Sequence, residues 1–131
     1  MAHEDMARRP RILLLEGEPL LAMTLSDLID EAGCAVVEAR STAEAVRILE
    51  ERTDIRVVVA DLDMRGSVMG LKLAAMIRER WPPIELILTS SAPRAPRANT
   101  IPARGVYFGK PFDGAAVVST IRNFVESTRA A

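Results

Sequence analysis

Five short apolar runs punctuate the chain, separated by stretches of helical period or by turn residues. The run from Ile55 to Ala60 is rich in valine, lacks the polar alternation of a half-exposed strand, and ends on Asp61. Such a run reads as a strand buried on both faces, the kind found in parallel sheets. The runs Arg11–Leu15, Ala35–Ala39, Ile84–Leu88 and Val106–Phe108 read as four more strands. Leu21, Leu25, Leu28 and Ala32 recur at helical spacing between Pro19, which a first helical turn tolerates, and Gly33, a C-terminal stop. Ser41 and Glu44 form a capping box ahead of a second helix, with Ala43, Val46 and Leu49 as its apolar stripe. A loop containing Gly66 and Gly70 leads to a third helix with Leu71, Ala74, Ala75 and Ile77 inward, ended by Trp81-Pro82-Pro83. Asp113 is the expected N-cap of a last helix whose inner face carries Val117, Ile121, Phe124 and Val125.

Strands alternating with helices predict an α/β fold: a doubly wound, five-stranded parallel sheet with right-handed crossovers and helices on both faces. The common strand order for five strands is 2-1-3-4-5, which puts the switch point between strands one and three. One segment breaks the alternation. Pro93, Pro96 and Pro102 interrupt residues 91–105, where a helix between strands four and five is due. A proline inside a helix costs about 3 kcal/mol, so this helix is expected to be short or absent. Arg94, Arg97 and Arg104 make the segment locally positive and a candidate partner surface.

Composition narrows the chemistry. At 131 residues, the length fits one domain with a real core. Residues 1–10 read as a flexible polar tail, 11–128 as the folded domain, and no output domain is expected after the last helix. A formal net charge of −1 gives no global field to recruit DNA or an acidic membrane. No apolar run approaches the roughly 18 residues of a membrane span, and the start lacks a secretory h-region, so a cytoplasmic protein is expected. Cys34 is the only cysteine and reads as a small core residue; His3, the only histidine, lies in the tail. Internal disulfides, histidine triads and cysteine or histidine metal clusters are thereby excluded. Carboxylates, hydroxyls and lysine remain.

Those groups gather where the strands end. The first strand delivers Glu16 and Glu18, the third Asp61 and Asp63, the fourth Thr89, Ser90 and Ser91, and the fifth Lys110. Clustered carboxylates repel unless a proton or a hard cation joins them, and Mg²⁺ favours a few such oxygens plus water. With a hydroxyl and a lysine beside them, they make a site for a phosphoryl group. Asp61, flush with its strand end, is the best-placed acceptor for an acyl phosphate.

The succession Leu14-Leu15-Glu16-Gly17-Glu18-Pro19, Val59-Ala60-Asp61-Leu62-Asp63-Met64, Leu88-Thr89-Ser90 and Tyr107-Phe108-Gly109-Lys110-Pro111-Phe112 resembles the receiver domain of bacterial two-component response regulators. The resemblance runs from Arg11 to about Glu126, and the loop from Met64 to Lys72 is similar to one in some stand-alone receivers. It implies that Asp61 accepts phosphoryl from a sensor histidine kinase or histidine phosphotransfer protein. It further implies that Glu16, Asp61 and the backbone carbonyl of Asp63 hold Mg²⁺. Thr89 and Lys110 would bind the phosphoryl group, the Lys110-Pro111 bond would be cis, and Tyr107 would switch together with Thr89. Signalling would then run through contact with a downstream protein, and a second copy of the chain is a candidate partner.

Departures from the family pattern are specific. Gly17 stands where the family carries the second acid after strand one, which predicts weakened Mg²⁺ affinity. Arg65 replaces a usual proline, and Met69 an acid of related loops. Two rival readings follow: a receiver-like interaction module that works without phosphate, favoured by Gly17, and a phosphatase of the haloacid-dehalogenase type, suggested by Asp61-Leu62-Asp63. The latter places its motif on the first strand and needs a further acidic pair downstream, where this chain has only Asp113 after Lys110.

Overall fold

The computed structural model describes residues 9–64, 67–91, 96–97 and 100–130, without the side chains of 67–69 and 128–130. Most of the tail, Arg65, Gly66, Pro93 and Arg94, and the side chain of Met69, therefore lie outside what is described. Five strands are present: β1 (Arg11–Leu15), β2 (Ala35–Ala39), β3 (Ile55–Asp61), β4 (Glu85–Ser91) and β5 (Val106–Lys110). They form one parallel sheet in the order β2-β1-β3-β4-β5, as the alternation predicts. Four helices connect or follow them: α1 (Pro19–Glu31), α2 (Thr42–Glu51), α3 (Ser67–Arg80) and α4 (Gly114–Ala130). Between β4 and β5 there is no α-helix among the described residues, in line with the prolines there. Nor is any described helix long and apolar enough to cross a membrane.

The strands alternate their side chains between two apolar layers. Leu13, Leu15, Val58, Ala60, Leu86 and Leu88 pack under α2 and α3. Ile12, Leu14, Val57, Val59 and Ile87 pack under α1 and α4, together with Cys34. A strand covered on both faces has no use for a polar side, which is why β3 and β4 read as nearly continuous apolar runs.

The helix signals behave as expected at their ends. Pro19 opens α1, and Gly33 follows it with φ +84, a conformation glycine adopts without strain. The Glu44 N–H donates to Ser41 Oγ (3.1 Å), while the Glu44 carboxylate reaches out to the Arg40 N–H (3.0 Å). The Ala115 N–H donates to Asp113 Oδ1 (3.0 Å) at the start of α4. Arg80 is the last residue of α3, just before Trp81-Pro82-Pro83.

One alanine in each of two helices lies off its expected inner face, while Val46, Leu49, Leu71, Ala74 and Ile77 pack inward as expected. In α2, Ala45 and Leu49 are buried and Ala43 is exposed; in α3, Leu73, Ala74 and Ile77 are buried and Ala75 is exposed. Alanines are compatible with either stripe, and docking against larger leucines decides between them. Gly70 also lies inside α3 rather than in a loop. A Cβ there would sit 2.9 Å from Leu62 Cδ2 and 3.4 Å from Leu62 Cα, so only glycine lets the helix approach the end of β3 this closely.

The loop before β5 is tied down by two arginines. Arg78 donates through Nε to Ala103 O (2.9 Å) and through one terminal nitrogen to Pro82 O (2.9 Å) and Ile84 O (2.6 Å). Arg104, at φ 65, adds a bond to Pro82 O (2.6 Å) and an ion pair with Glu85 (3.2 Å). A guanidinium carries several donors in a fixed fork, so it can satisfy loop carbonyls that a helix would otherwise pair internally.

Candidate functional site

Parallel register brings the site together. Leu15 pairs with Ala60, Asp61 with Thr89, and Ser91 with Lys110. Glu16, one step past β1, therefore lies beside Asp61 at the sheet's carboxyl edge. The Lys110 ammonium sits among three carboxylates: 2.9 Å from Asp61 Oδ1, 3.2 Å from Asp63 Oδ2 and 3.6 Å from Glu16 Oε1. The side chains of Glu16 and Asp61 are only 1% and 4% exposed, so two carboxylates are held nearly dry beside one cation.

That arrangement sets their protonation. Burial pushes Glu16 up to about 7 from an ordinary 4.5; the Glu18 N–H on Oε2 (3.0 Å) opposes the rise, and the neighbouring Asp61 adds to it. Burial also presses Asp61 upward. There the Asp63 N–H on Oδ1 (2.8 Å) and Lys110 outweigh it, and the carboxyl stays below its usual range. For Lys110, burial works downward, and the surrounding carboxylates more than offset it. Asp61 is thus the ionised member of the pair near neutral pH, and Glu16 is the member poised to hold a proton.

Two polar atoms are left over. Glu16 Oε1 and Thr89 Oγ1 are buried without a hydrogen-bond partner among the described residues. Unsatisfied buried oxygens at a strand end are uncommon and point to a missing ligand or water. The donor set suits a hydrated hard cation: two carboxylates, Glu16 and Asp61, are what Mg²⁺ needs when it keeps most of its water. Among the described residues, no group of three or more acidic, histidine or cysteine side chains offers a closed metal site. At Gly17 the missing acid is visible as space. A Cβ there would lie 3.9 Å from Asp61 Oδ2 and 3.2 Å from Met64 Cγ, so the thioether chain of Met64 occupies the neighbourhood of the absent carboxylate.

The remaining expected residues fall as follows. The Lys110-Pro111 bond is cis. Glu18 is exposed at the N-cap of α1 without capping it through its side chain. The Tyr107 hydroxyl lies 2.7 Å from Ser90 Oγ and donates to Ser90 O at 3.3 Å, which makes Ser90 a direct partner of the aromatic ring next to Thr89. The Asp63 side chain accepts from the Ser91 N–H at 2.9 and 3.1 Å and from Ser91 Oγ at 3.4 Å. No local sequence signal carries either contact, since each joins strand ends 17 or 28 residues apart.

The family comparison agrees with this geometry. The model of the response regulator receiver domain matches residues 12–122. The chain belongs to the response-regulator receiver family. It is 30% identical over 129 residues to the phyllosphere-induced regulator PhyR of Methylorubrum extorquens, a match covering 95% of this chain and 47% of that protein. The chain therefore spans less than half the length of that relative. A receiver domain from Clostridium thermocellum superposes with a TM-score of 0.79 at 23% identity, over 92% of this chain and 97% of that one. A receiver protein from Sinorhizobium medicae gives 0.80 at 22% identity, over 92% and 97%. These two structures support the fold, and the family match supports a signalling role in two-component systems.

The Glu16 shift has a testable consequence. Between pH 4.5 and about 7 the unfolded chain loses this proton while the folded chain keeps it. The group's contribution to stability therefore falls as pH rises through that window and stays low above it. Glu16→Gln should leave stability near pH 4 unchanged and raise it near pH 8 by about 1–2 kcal/mol, measured by urea unfolding at both values. Parallel pH profiles for the two proteins would contradict the assignment.

Proposed function

We propose that this receiver accepts a phosphoryl group on Asp61 from a sensor histidine kinase or histidine phosphotransfer protein and signals through contact with a downstream protein. The observation that carries the reading is the state of Asp61: ionised, gripped on Oδ1 by Lys110 and the Asp63 N–H, with the unpartnered Thr89 hydroxyl on the adjacent strand. A carboxylate oxygen of Asp61 attacks phosphorus; the bond to the leaving nitrogen or oxygen breaks and its electron pair departs with the donor. Lys110 stays beside the acceptor and pairs with a phosphoryl oxygen, and Thr89 supplies a hydrogen bond to another. Glu16, Asp61 and the backbone carbonyl of Asp63 would hold Mg²⁺, which neutralises phosphoryl charge when bound. The domain's role is that of a phosphoacceptor rather than a turnover enzyme, working in the cytoplasm without contacting DNA. Tyr107, bonded to Ser90, adjoins the segment before β5 and is placed to pass a shift of Thr89 to that surface.

Leu20 and Met23 support a protein donor. They are exposed large apolar side chains, at 73% and 65%, and both lie in the opening turns of α1 beside the pocket rim. Two such residues on one edge suit contact with another protein's apolar surface.

The deciding experiment is intact-mass measurement after incubation with acetyl phosphate and Mg²⁺. One phosphoryl adduct is expected on the folded wild-type protein and none on Asp61→Asn. No adduct at saturating Mg²⁺ would favour the second reading, an interaction module that works without phosphate, to which Gly17 gives specific support. That residue has its own test. Gly17→Asp, with Met64 shifting a few tenths of an ångström to make room, should tighten Mg²⁺ binding about tenfold by calorimetry, since it adds one ligand oxygen and one charge. Unchanged affinity would show that the existing carboxylates already fill that position.

A further inference from the structure

The Asp63 side chain is the one carboxylate of the pocket that reaches across to β4. One oxygen is 2.9 Å from the Ser91 N–H and 3.2 Å from Lys110 Nζ; the other is 3.1 Å from the same N–H and 3.4 Å from Ser91 Oγ. Asp63 thus engages Lys110, a donor that an incoming phosphoryl group also needs, while the Ser91 N–H fixes the carboxylate in place. Its place relative to Asp61 is also informative. Asp61 Oδ1 faces the Asp63 N–H and Lys110, whereas Oδ2 is the oxygen nearer to Gly17. The Asp63 carboxylate, held at Ser91 and Lys110, is on the Oδ1 side. It cannot replace the acid missing at Gly17 without giving up both partners. It is also the most open of the three carboxylates. Its side chain is 16% exposed, whereas Glu16 and Asp61 are almost fully enclosed.

We propose that Asp63 restrains phosphoryl uptake: its carboxylate, held in place by the Ser91 N–H, occupies Lys110 as an internal anion, and an incoming phosphoryl group must displace it from that lysine. This rests on the phosphoacceptor reading of Asp61. A phosphoryl group brings up to two further negative charges to one lysine already shared among three carboxylates. Displacement of Asp63 toward solvent relieves that repulsion and frees Lys110 for the phosphoryl oxygens. The internal anion therefore raises the concentration of donor needed, and discriminates against donors that bring no binding energy of their own.

The test compares wild type, Asp63→Asn and Glu18→Gln, which removes an equal charge from the same rim. Initial rates of adduct formation are read by intact mass over a range of acetyl phosphate concentrations, with the Ser91 amide resonance followed in the unmodified proteins. Asp63→Asn should lower the half-saturating donor concentration about fivefold or more, change the saturated rate less than about twofold, and move the Ser91 amide resonance. Glu18→Gln should lower half-saturation by less than about twofold. An unchanged or higher half-saturation for Asp63→Asn, or an equal effect of Glu18→Gln, would overturn the proposal while leaving the phosphoacceptor reading intact. No adduct on any of the three would overturn both.

Discussion

One ammonium among three carboxylates is the contact around which the pocket is built. Lys110 comes from the last strand of the sheet, Asp61 from the third, and Glu16 follows the first, so the cluster forms only when the parallel register is complete. The two apolar layers supply that register, and the site draws its character from their dryness. Burial makes Glu16 hold a proton near neutrality, yet Asp61, a few ångströms away, remains ionised because the Asp63 N–H and Lys110 favour its charge. Two similar carboxylates thereby acquire different roles from their surroundings alone.

The exchange of an acid for Gly17 bears on the same balance. With glycine at position 17, the three carboxylates around Lys110 repel one another less than they would with a fourth acid beside them. Met64, packed into the core layer under α2 and α3 and lying against Gly17, stabilises that arrangement through apolar contact.

Much of this was legible in the sequence, for a physical reason. The central strands β1, β3 and β4 are buried apolar runs, and polar residues cluster at their carboxyl ends; with Lys110 at the end of β5, Asp61, Thr89 and Lys110 are assignable to one edge from sequence. The missing helix before β5 was readable from its prolines. Contacts that join distant strand ends were not readable: Asp63 to Ser91, Ser90 to Tyr107, and Arg78 to Ala103 each depend on the angle at which a side chain leaves its element. Ala43 of α2 and Ala75 of α3 are exposed although they fall on the apolar stripe, because a methyl group fits core or surface and the larger neighbours choose.

The central claim is that environment singles out Asp61 among the clustered carboxylates as the acceptor. Borohydride reduction of the acyl phosphate, followed by peptide mapping, reads it directly, because reduction marks only the carboxyl that carried phosphorus. The reduced residue should be Asp61, with Glu16 and Asp63 unmodified. Recovery of the label at Asp63 or Glu16 in the folded protein would contradict it.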